Sequence, residues 1–596
     1  MTTTTTSPTP GQTSRSGPRR GADVLVDCLA AAGIEHVFGV PGDTGVVFYD
    51  ALFHQTDRVT HVLARDERHA VAMADAYARI TNAVSAVEVS SGGGTTYAVG
   101  GLGEAFASGV PILLITSDIH SSSRGSGALT EIDQRALFSA VTKEQYVVED
   151  AAEIPALVAE ALETATSGRP GPVVVIVPED MLDATPPVDD HAIEALRDAT
   201  PLPRRRVRGE TDAVSRAATA LGRAEKPAIL VGSGVHLSGA YEELRRLAER
   251  AGAAIATTIH GKGTIPDAHP WSVGVVGNNG AREYANDYLA DADAVLLVGT
   301  RANATDTNSW AGPARDGSTA VIQIDVDPDR VGNNYADAIR LVGDAKEILG
   351  QLAEIVPEVT AAAAESRVAE IAAARDRWVA GWEGGTPGGT AKIAPGQLLP
   401  REVVQLANEL LPDDSVVVAD PGTPTPNVST YWDVASAGRT VIVPRGHGPM
   451  GYAIPAAVGA CFARPGEPVL SLTADGSFAM ACGELETVAR FALPICYIQF
   501  TNNSLGWIKM LQHLYEGQRY FGVDPGPTDA VMVAEANGLE ARRVTTLEEL
   551  RELLTSFAAD PRPLYIDVDV PHMIDFTPPV PAWIGALQGD STRPVY

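Results

Sequence analysis

The stretch that decides the predicted fold is EPVLSLTADGSFAMACGELETVARFALPICYIQFTNNSLGWIKM, residues 467–510. Its opening, residues 467–474, has the pattern of a strand, and residues 475–476 have that of a tight turn. Residues 484–491 are typical of part of a helix, and residues 493–500 form a continuously apolar second strand. The unit is therefore predicted to be β-α-β, and a right-handed crossover makes its two strands parallel.

One carboxylate and one amide follow these two strands at the same edge of the predicted sheet. Open α/β sheets bind ligands outside the carboxyl ends of their strands, where Asp475 and Asn502 lie. Both side chains supply oxygen atoms suited to a hard divalent cation that keeps room for phosphate oxygens. Gly476 and Ser477 allow backbone N–H groups to approach an anion at the start of the next helix. The alternative interpretation is an aspartate that caps a helix and an ordinary Asn-Asn turn.

The combination of these features is more specific than each feature alone. Asp-Gly-Ser, a helix, an apolar strand and Asn-Asn together resemble the diphosphate-binding motif of thiamine-diphosphate enzymes. In that motif a further glycine comes first, and Ala474 replaces it here. The resemblance implies that thiamine diphosphate is the cofactor. It also implies a Mg²⁺ ion held by Asp475, Asn502 and the backbone carbonyl of Ser504.

The composition indicates a large protein with several domains. At 596 residues the chain is too long for one hydrophobic core, which predicts three or four domains. Its formal charge of −30 argues against nucleic-acid and anionic-membrane partners. No apolar run approaches the length of a membrane helix, about 18 residues. The four cysteines have no paired spacing, which favours buried thiols in a reducing compartment, so we expect a cytoplasmic protein.

Alternating helix and strand patterns divide the chain into three similar units. The predicted fold class is α/β, with three doubly wound parallel-sheet domains. The resemblance covers about residues 22–575 and makes these the pyrimidine-binding, central and diphosphate-binding domains. Residues 1–20 lack the apolar region of a signal peptide and are predicted to be a disordered tail. The predicted domains are 21–190, 205–360 and 395–576, with linkers at 183–210 and 384–396 and a C-terminal tail at 577–596.

Glu67 is the candidate catalytic residue. It directly follows a strand pattern and lies in the first turn of a predicted helix, where a carboxylate commonly complements the helix dipole. The surrounding sequence, RDERHAVAMADAYAR at 65–79, resembles the glutamate-bearing segment of acetolactate-synthase-like thiamine enzymes. The resemblance implies that Glu67 hydrogen-bonds the aminopyrimidine from the opposite subunit and promotes its imino tautomer. Such a carboxylate needs an apolar site that raises its pKa toward neutrality.

The other candidate cofactor residues rest on the same resemblance. Met450, in GHGPMGYAIPAA, resembles the bulky apolar residue that holds the cofactor in its bent form, although a core methionine has the same pattern. Gly446 and His447 would contact the pyrimidine side through their backbone. The remaining cofactor-binding candidates are Gly422, Thr423, Asp475, Gly476, Ser477, Asn502, Ser504, Leu505 and Gly506.

The substrate side departs from the acetolactate synthase pattern. SSGGGTTY at 90–97 replaces Ser-Gly-Pro-Gly-Ala-Thr-Asn, and Thr130 stands where those enzymes have a glutamine that faces the cofactor and the acceptor. Trp507 and Leu511 stand where they have a methionine and a specificity-setting tryptophan. These differences leave the cofactor motifs intact and favour an unusual acceptor.

The middle unit offers a competing interpretation as an oxidoreductase. A strand, Gly232-Ser-Gly234 and a helix resemble a dinucleotide fingerprint, but the third glycine is misplaced and the next strand ends in no acidic residue. The unit is more similar to the central domain of the thiamine family. There, GNNGA at 277–281, Arg301 and residues 324–332 match regions that line a non-catalytic FAD in acetolactate synthases. The resemblance leaves the binding of FAD open.

The predicted function is decarboxylation of a pyruvate-like 2-oxo acid, followed by carboligation of the enamine to a second carbonyl acceptor. The predicted assembly is a homodimer or homotetramer with active sites at the subunit interface. A simple 2-oxo acid decarboxylase that releases an aldehyde is the alternative. A catalytically inactive relative is a further alternative. The presence of Glu67, Asp475 and Asn502 argues against it.

Overall fold

The structure is a computed structural model that describes residues 18–197, 199–383, 392–587, 589 and 593. The chain divides into two compact units, of which the first ends at Arg204 and the second begins at Arg205. The described residues form three six-stranded sheets, and their strands pair in parallel throughout. Helices flank these sheets. The predicted α/β fold class is therefore confirmed.

The first unit contains one of the sheets. Its strands are β1 (His36–Val40), β2 (Thr60–Leu63), β3 (Ser85–Val89), β4 (Ile112–Asp118), β5 (Gln145–Val147) and β6 (Val173–Pro178), in the order β2-β1-β3-β4-β6-β5. Its helices are α1 (Gly21–Ala31), α2 (Val46–Phe53), α3 (Glu67–Thr81), α4 (Gly93–Ser108), α5 (Gln134–Phe138), α6 (Ile154–Thr166), α7 (Glu179–Asp183) and α8 (Asp190–Glu194). Short 3₁₀ helices cover Asp43–Gly45, Ser121–Ser123 and Ala151–Glu153.

The second unit contains two sheets. The first of them has strands β7 (Pro227–Val231), β8 (Ala254–Thr257), β9 (Ser272–Val275), β10 (Ala294–Val298), β11 (Ala320–Asp325) and β12 (Ile339–Val342), in the order β12-β11-β10-β7-β8-β9. The accompanying helices are α9 (Thr211–Arg223), α10 (Ser233–Ser238), α11 (Tyr241–Ala251), α12 (Glu283–Ala290), α13 (Ala345–Ile355) and α14 (Ala361–Glu383), with a 3₁₀ turn at Ile259–Gly261.

The last sheet has strands β13 (Val416–Ala419), β14 (Val441–Ile442), β15 (Val469–Ala474), β16 (Ile495–Thr501), β17 (Glu540–Val544) and β18 (Leu564–Asp569), in the order β14-β13-β15-β16-β18-β17. Its helices are α15 (Pro400–Leu410), α16 (Pro424–Tyr431), α17 (Ala453–Ala463), α18 (Asp475–Ala481), α19 (Leu485–Arg490), α20 (Gly506–Tyr515), α21 (Ala530–Ala536), α22 (Leu547–Ala559) and α23 (Pro581–Leu587). A 3₁₀ turn covers Cys482–Glu484.

The inner strands are apolar because helices cover both faces of each sheet. Every residue of β4 and of β16 is buried, for example. Most polar groups that could serve a site then lie where these strands end. β15 and β16 are adjacent and parallel, as predicted, so residues 475 and 502 follow them at the same edge of the sheet.

The strands that the sequence patterns miss are β5, β9, β12, β14 and β17. All five lie at an edge of their sheet, and they have only two to five residues. β5, β12 and β17 mix buried positions with less buried ones, as partly solvated edge strands do. β9 and β14 are buried throughout but have only four and two residues. Patterns that are short or mixed in this way do not stand out from loops.

Three local predictions need correction. The predicted tight turn at 475–476 is wrong, because α18 begins at Asp475 directly after β15. The glycine-rich stretch GHGPMGYAIPAAVGA, residues 446–460, is predicted to be a helix from its start, but α17 begins only at Ala453. The predicted linker at 183–210 contains α8, and its residues Ile193, Leu196 and Ala199 are buried in the first core.

The predicted tails lie partly outside the described residues. Of residues 1–20 only 18–20 are described, and of the linker 384–396 only 392–396. The predicted C-terminal tail contains α23, whose Trp583 is buried in an apolar cluster with Met573 and Phe576. The described part of this segment therefore packs against the rest of the protein. Its residues 588, 590–592 and 594–596 are not described.

Candidate functional site

The carboxylate of Asp475 is fixed by backbone amides at the end of β15. Its Oδ2 accepts hydrogen bonds from the N–H groups of Asn502 (2.9 Å) and Asn503 (2.5 Å), and its Oδ1 accepts one from Gly476 (2.8 Å). Burial raises the pKa of Asp475, and these three amides lower it. The carboxylate therefore joins the β16 turn to the start of α18.

The turn after β16 brings further oxygen atoms to the same place. The Oδ1 of Asn502 accepts a hydrogen bond from Ser504 N (3.1 Å), and the Ser504 carbonyl accepts one from Gly506 N (2.8 Å). Asn503 has a left-handed φ of 53°, which asparagine tolerates. One carboxylate, one amide oxygen and one carbonyl are ligands that Mg²⁺ uses. No group of three His, Cys, Asp or Glu side chains suited to a metal occurs among the described residues.

Gly476 keeps space open between two apolar side chains. A Cβ at this position would lie 2.8 Å from Leu505 Cδ2 and 3.0 Å from Met450 Cε. Met450 and Leu505 thus approach each other over the first turn of α18. The predicted cofactor residues Met450, Gly476 and Leu505 are therefore brought together around Asp475.

Polar groups suited to an anion lie beside this carboxylate. The Ser477 hydroxyl is buried and has no hydrogen-bond partner among the described residues. Such an orphaned hydroxyl is costly unless a ligand or water completes it, and it sits in the first turn of α18, where anions bind. The residues present therefore fit a diphosphate with its Mg²⁺.

The loops after β13 and β14 carry the other predicted residues. Gly422 has a left-handed φ of 92°, and a Cβ there would meet no atom within 4 Å. Thr423 is buried at the N-terminus of α16, and its carbonyl accepts a hydrogen bond from Asn427. Gly446 and the exposed His447 lie in the loop before α17.

Asp420 holds this loop, and the sequence analysis did not single it out. Its Oδ1 accepts hydrogen bonds from the N–H groups of Tyr452 (2.9 Å) and Ala453 (3.1 Å), and its Oδ2 accepts one from Thr473 Oγ1 (2.7 Å). Burial raises the pKa of Asp420 to about 6, and these hydrogen bonds limit the rise. The signal in the sequence was an aspartate at the end of the VVVA strand.

In the first unit, Glu67 is the first residue of α3, as predicted. Asp66 caps the helix by accepting a hydrogen bond from Arg68 N. The Glu67 carboxylate lies against Gly94, where a Cβ would be 3.1 Å from Oε1. Burial is the largest cause that raises the pKa of Glu67, which is the direction that the predicted role needs.

Glu88, at the carboxyl end of β3, is a second acid that sequence reasoning missed. It is fully buried, its Oε2 accepts a hydrogen bond from Tyr49 (2.5 Å), and its Oε1 has no partner among the described residues. Burial raises the pKa of Glu88 to about 8. The only signal for this residue was a glutamate inside the apolar strand SAVEV.

Thr130, a predicted substrate-side residue, has a left-handed φ of 67°, which is rare for a β-branched side chain. Its Oγ1 contacts Ser91 Oγ (2.8 Å), and Gly92 leaves room for it, since a Cβ at Gly92 would be 2.7 Å from Thr130 Cβ.

In the second unit, Trp507 packs on Trp583 with ring centroids 4.3 Å apart, in the apolar cluster that includes Leu511.

The protein's own backbone occupies the space beside the glycine pair of the middle unit, Gly232 and Gly234. A Cβ at Gly234 would lie 2.5 Å from Gly299 Cα, and one at Gly232 would lie 2.5 Å from the Gly299 carbonyl oxygen. The pair allows two loops to touch at the start of α10. This close approach leaves no space there for a dinucleotide phosphate, so the geometry argues against the oxidoreductase interpretation.

The residues that would line an FAD are also committed to internal contacts. Asn278 and Asn279 are buried, and the guanidinium of Arg301 donates a hydrogen bond to the Arg445 carbonyl. A Cβ at Gly280 would lie 2.6 Å from Pro426 Cα. These contacts do not indicate a bound FAD.

Comparison with known proteins agrees with this geometry. The thiamine pyrophosphate enzyme family matches in three parts: its N-terminal TPP-binding domain at residues 19–137, its central domain at 214–352 and its C-terminal TPP-binding domain at 420–568. The chain is 31% identical to a probable acetolactate synthase large subunit of Methanocaldococcus jannaschii, over 94% of each chain. It is 31% identical to an acetolactate synthase of Arthrospira platensis, over 94% of this chain and 96% of the relative. It is 30% identical to the acetolactate synthase isozyme 3 large subunit of Escherichia coli K12, over 92% and 94%.

The fold, the site and these similarities define the class: the chain belongs to the thiamine pyrophosphate enzyme family, among its acetolactate-synthase-like members. It is an enzyme that depends on thiamine diphosphate. Within the described ranges, no helix has the length and apolar character needed to span a membrane.

Proposed function

We propose that this enzyme decarboxylates a pyruvate-like 2-oxo acid and joins the remaining fragment to a second carbonyl compound. The observation that carries the proposal is the similarity to acetolactate synthases along more than nine-tenths of the chain. A decarboxylase that releases an aldehyde is less favoured, because these relatives are named as synthases. The unusual residues Thr130 and Leu511 support an acceptor other than the second pyruvate of acetolactate formation.

The diphosphate end of the cofactor and its Mg²⁺ belong, in this proposal, at the carboxyl edge of β15 and β16. The Mg²⁺ ligands are Asp475, Asn502 and the Ser504 carbonyl, and Ser477 binds a phosphate oxygen. The orphaned Ser477 hydroxyl and the fixed Asp475 carboxylate support this assignment. Further cofactor contacts come from Gly422, Thr423, Gly446, His447, Met450, Gly476, Leu505 and Gly506.

Glu67 is the proposed catalytic residue. When bound, thiamine diphosphate supplies the electron sink that allows a 2-oxo acid to lose CO₂. The role of Glu67 is to hold a proton at the aminopyrimidine ring, and burial raises its pKa, which is the direction that this role needs. Met450 and Leu505, which lie together beside Gly476, would contact the cofactor with apolar side chains.

The proposed assembly is a homodimer or homotetramer, with active sites at the subunit interface. Glu67 and Asp475 then serve one site from two different subunits. The proposed domain boundaries are 21–190 for the pyrimidine-binding domain, 205–360 for the central domain and 395–576 for the diphosphate-binding domain. Analytical ultracentrifugation with and without cofactor measures the state of assembly.

The test is turnover of pyruvate by the purified protein with thiamine diphosphate and Mg²⁺, with products identified by mass spectrometry. A panel of other 2-oxo acids and aldehyde acceptors runs in parallel, and Glu67→Gln is the control. A product with a new carbon–carbon bond supports the proposal and identifies the acceptor. Release of aldehyde alone refutes the carboligation step, and absence of CO₂ from every acid refutes the proposed function.

A further inference from the structure

A chain of polar side chains runs through the interior of the last sheet, directly behind the proposed metal site. Tyr565 Oη donates to Gln499 Oε1 (2.5 Å), and Gln499 Nε2 donates to Thr501 Oγ1 (2.7 Å). Thr501 Oγ1 in turn donates to Asp567 Oδ1 (2.6 Å). Arg543 completes the chain by donating to Asp567 Oδ2 from Nε (2.9 Å) and Nη2 (2.8 Å).

These groups share one face of neighbouring strands. Gln499 of β16 is paired with Asp567 of β18, which is paired with Arg543 of β17. The side chains of Gln499, Thr501, Tyr565 and Asp567 are all buried. Interiors of parallel sheets are normally apolar, so a buried polar chain here is costly unless each member is satisfied.

The direction of the hydrogen bonds is fully determined. Asp567 has only acceptors and takes the hydroxyl proton of Thr501, so Thr501 must accept from the amide of Gln499. The amide orientation of Gln499 then requires Tyr565 to donate its proton. Each of the four neighbouring pairs in this chain is thus joined with one direction of donation, from Tyr565 to Gln499, from Gln499 to Thr501, and from Thr501 and Arg543 to Asp567.

Thr501 is the last residue of β16, and the residue after it is the proposed metal ligand Asn502. The backbone must leave the strand at this point for the N–H groups of Asn502 and Asn503 to reach Asp475 Oδ2. The bond from Thr501 to Asp567 anchors the strand end against β18. The chain therefore fixes the position from which the metal-binding turn departs.

We propose that Thr501 is a positioning residue for the Mg²⁺ site, held by the Tyr565–Gln499–Thr501–Asp567–Arg543 chain. The inference rests on the proposed function, because it assumes that Asn502 and Asp475 bind Mg²⁺ with thiamine diphosphate. Groups that orient metal ligands change metal affinity by about 10–100-fold when they are removed.

The test is calorimetric titration of Mg²⁺ into the full-length protein with excess thiamine diphosphate. Thr501→Val keeps the side-chain shape and removes the hydroxyl, and Thr501→Ser is the matched control that keeps it. We expect Thr501→Val to weaken Mg²⁺ binding by about 10-fold or more and Thr501→Ser to stay within about threefold of the original protein. The Mg²⁺ concentration for half-maximal activity should rise in Thr501→Val, with kcat largely kept at saturating Mg²⁺.

Unchanged Mg²⁺ affinity in Thr501→Val, or equal losses in both variants, would overturn the inference. If Thr501→Val does not fold, Tyr565→Phe tests the far end of the chain, because it leaves Gln499 Oε1 without its donor. A several-fold loss of Mg²⁺ affinity is then expected, and no loss contradicts the inference. Absence of Mg²⁺ and cofactor binding to the original protein refutes the proposed function instead, so the two failures are distinguishable.

Discussion

Glu88 and Asp420 are buried carboxyl groups in two sheets of the same architecture, and their surroundings differ. Both are fully buried, Glu88 in β3 of the first unit and Asp420 after β13 of the second. Asp420 accepts hydrogen bonds from the backbone N–H groups of Tyr452 and Ala453 and from the Thr473 hydroxyl, whereas among the described residues Glu88 accepts one from the Tyr49 hydroxyl only. The pKa accordingly rises to about 6 for Asp420 and to about 8 for Glu88.

The comparison teaches that hydrogen bonds, and not burial alone, decide which form a buried acid takes. Backbone N–H groups and the Thr473 hydroxyl stabilise the carboxylate of Asp420. For Glu88, burial and the nearby charge of Glu67 raise the pKa, and the single hydrogen bond from Tyr49 lowers it less. At neutral pH Asp420 is therefore mainly ionised. It accepts the hydrogen bonds that hold the loop before α17, which contains Met450. Glu88 mainly keeps its proton.

The largest expected effect tests Glu88 through the pH dependence of stability. Its folded pKa lies above the ordinary value, so the unfolded chain loses its proton first, and stability falls as pH rises from about 4.5 to about 8. The Glu88 contribution to this decline is up to about 1.4 kcal/mol per pH unit, or about 5 kcal/mol in all. Urea unfolding across this range should show that Glu88→Gln removes this contribution and is more stable than the original protein at pH 9.

Glu552→Gln, at an exposed position of α22, is the control for a change of charge without burial. The decline in stability attributed to Glu88 should persist in this variant. An equal decline in Glu88→Gln and in the original protein would show that Glu88 is not held protonated.

The next largest expected effect concerns Glu67, the proposed catalytic acid, in contrast to the buried acid Glu88. Glu67→Gln should lower kcat by about 100-fold or more, since a positioned acid–base group contributes about 10²–10⁴-fold. Steady-state CO₂ release at saturating substrate measures it. Thermal unfolding of Glu67→Gln should match that of the original protein, and full activity in this variant would remove Glu67 from the mechanism.

Asp420→Asn should change stability in the opposite direction from Glu88→Gln. The oxygen of the carboxamide can still accept from the N–H groups of Tyr452 and Ala453, but its NH₂ group then replaces the oxygen that accepts the Thr473 hydroxyl proton, so this proton loses its acceptor. We expect a loss of about 1–3 kcal/mol at pH 8, typical of a buried group left without its partner. Urea unfolding at pH 8 compares the two variants, and a stabilised Asp420→Asn would contradict the assigned hydrogen bonds.

The smallest effect concerns the space beside Asp475. Gly476→Ala places a methyl group between Met450 and Leu505, whose flexible ends must move apart. Thiamine diphosphate affinity should fall by about tenfold, with little change in the unfolding temperature. Gly438→Ala is the matched control, because a Cβ there meets no atom within 4 Å; equal cofactor affinity in both variants would place the cofactor elsewhere.

The sequence predicts the inner strands and the site edge well, for physical reasons. Buried parallel strands such as β15 and β16 have long apolar runs, and the Asp-Gly-Ser and Asn-Asn stretches that follow them are local. The edge strand β17 has a mixed pattern and is missed. Asp420 and Glu88 are missed because their partners Tyr452 and Tyr49 are distant in sequence, and only the fold brings them together.

Calorimetric titration of thiamine diphosphate in the presence of Mg²⁺ tests the proposed cofactor site most directly. The original protein should bind the cofactor in a Mg²⁺-dependent manner. Asp475→Ala should lose this dependence and weaken binding by about 100-fold, because it removes the carboxylate that three backbone amides fix. Equal, Mg²⁺-independent binding by both proteins would contradict the assignment of the cofactor site to the carboxyl edge of β15 and β16.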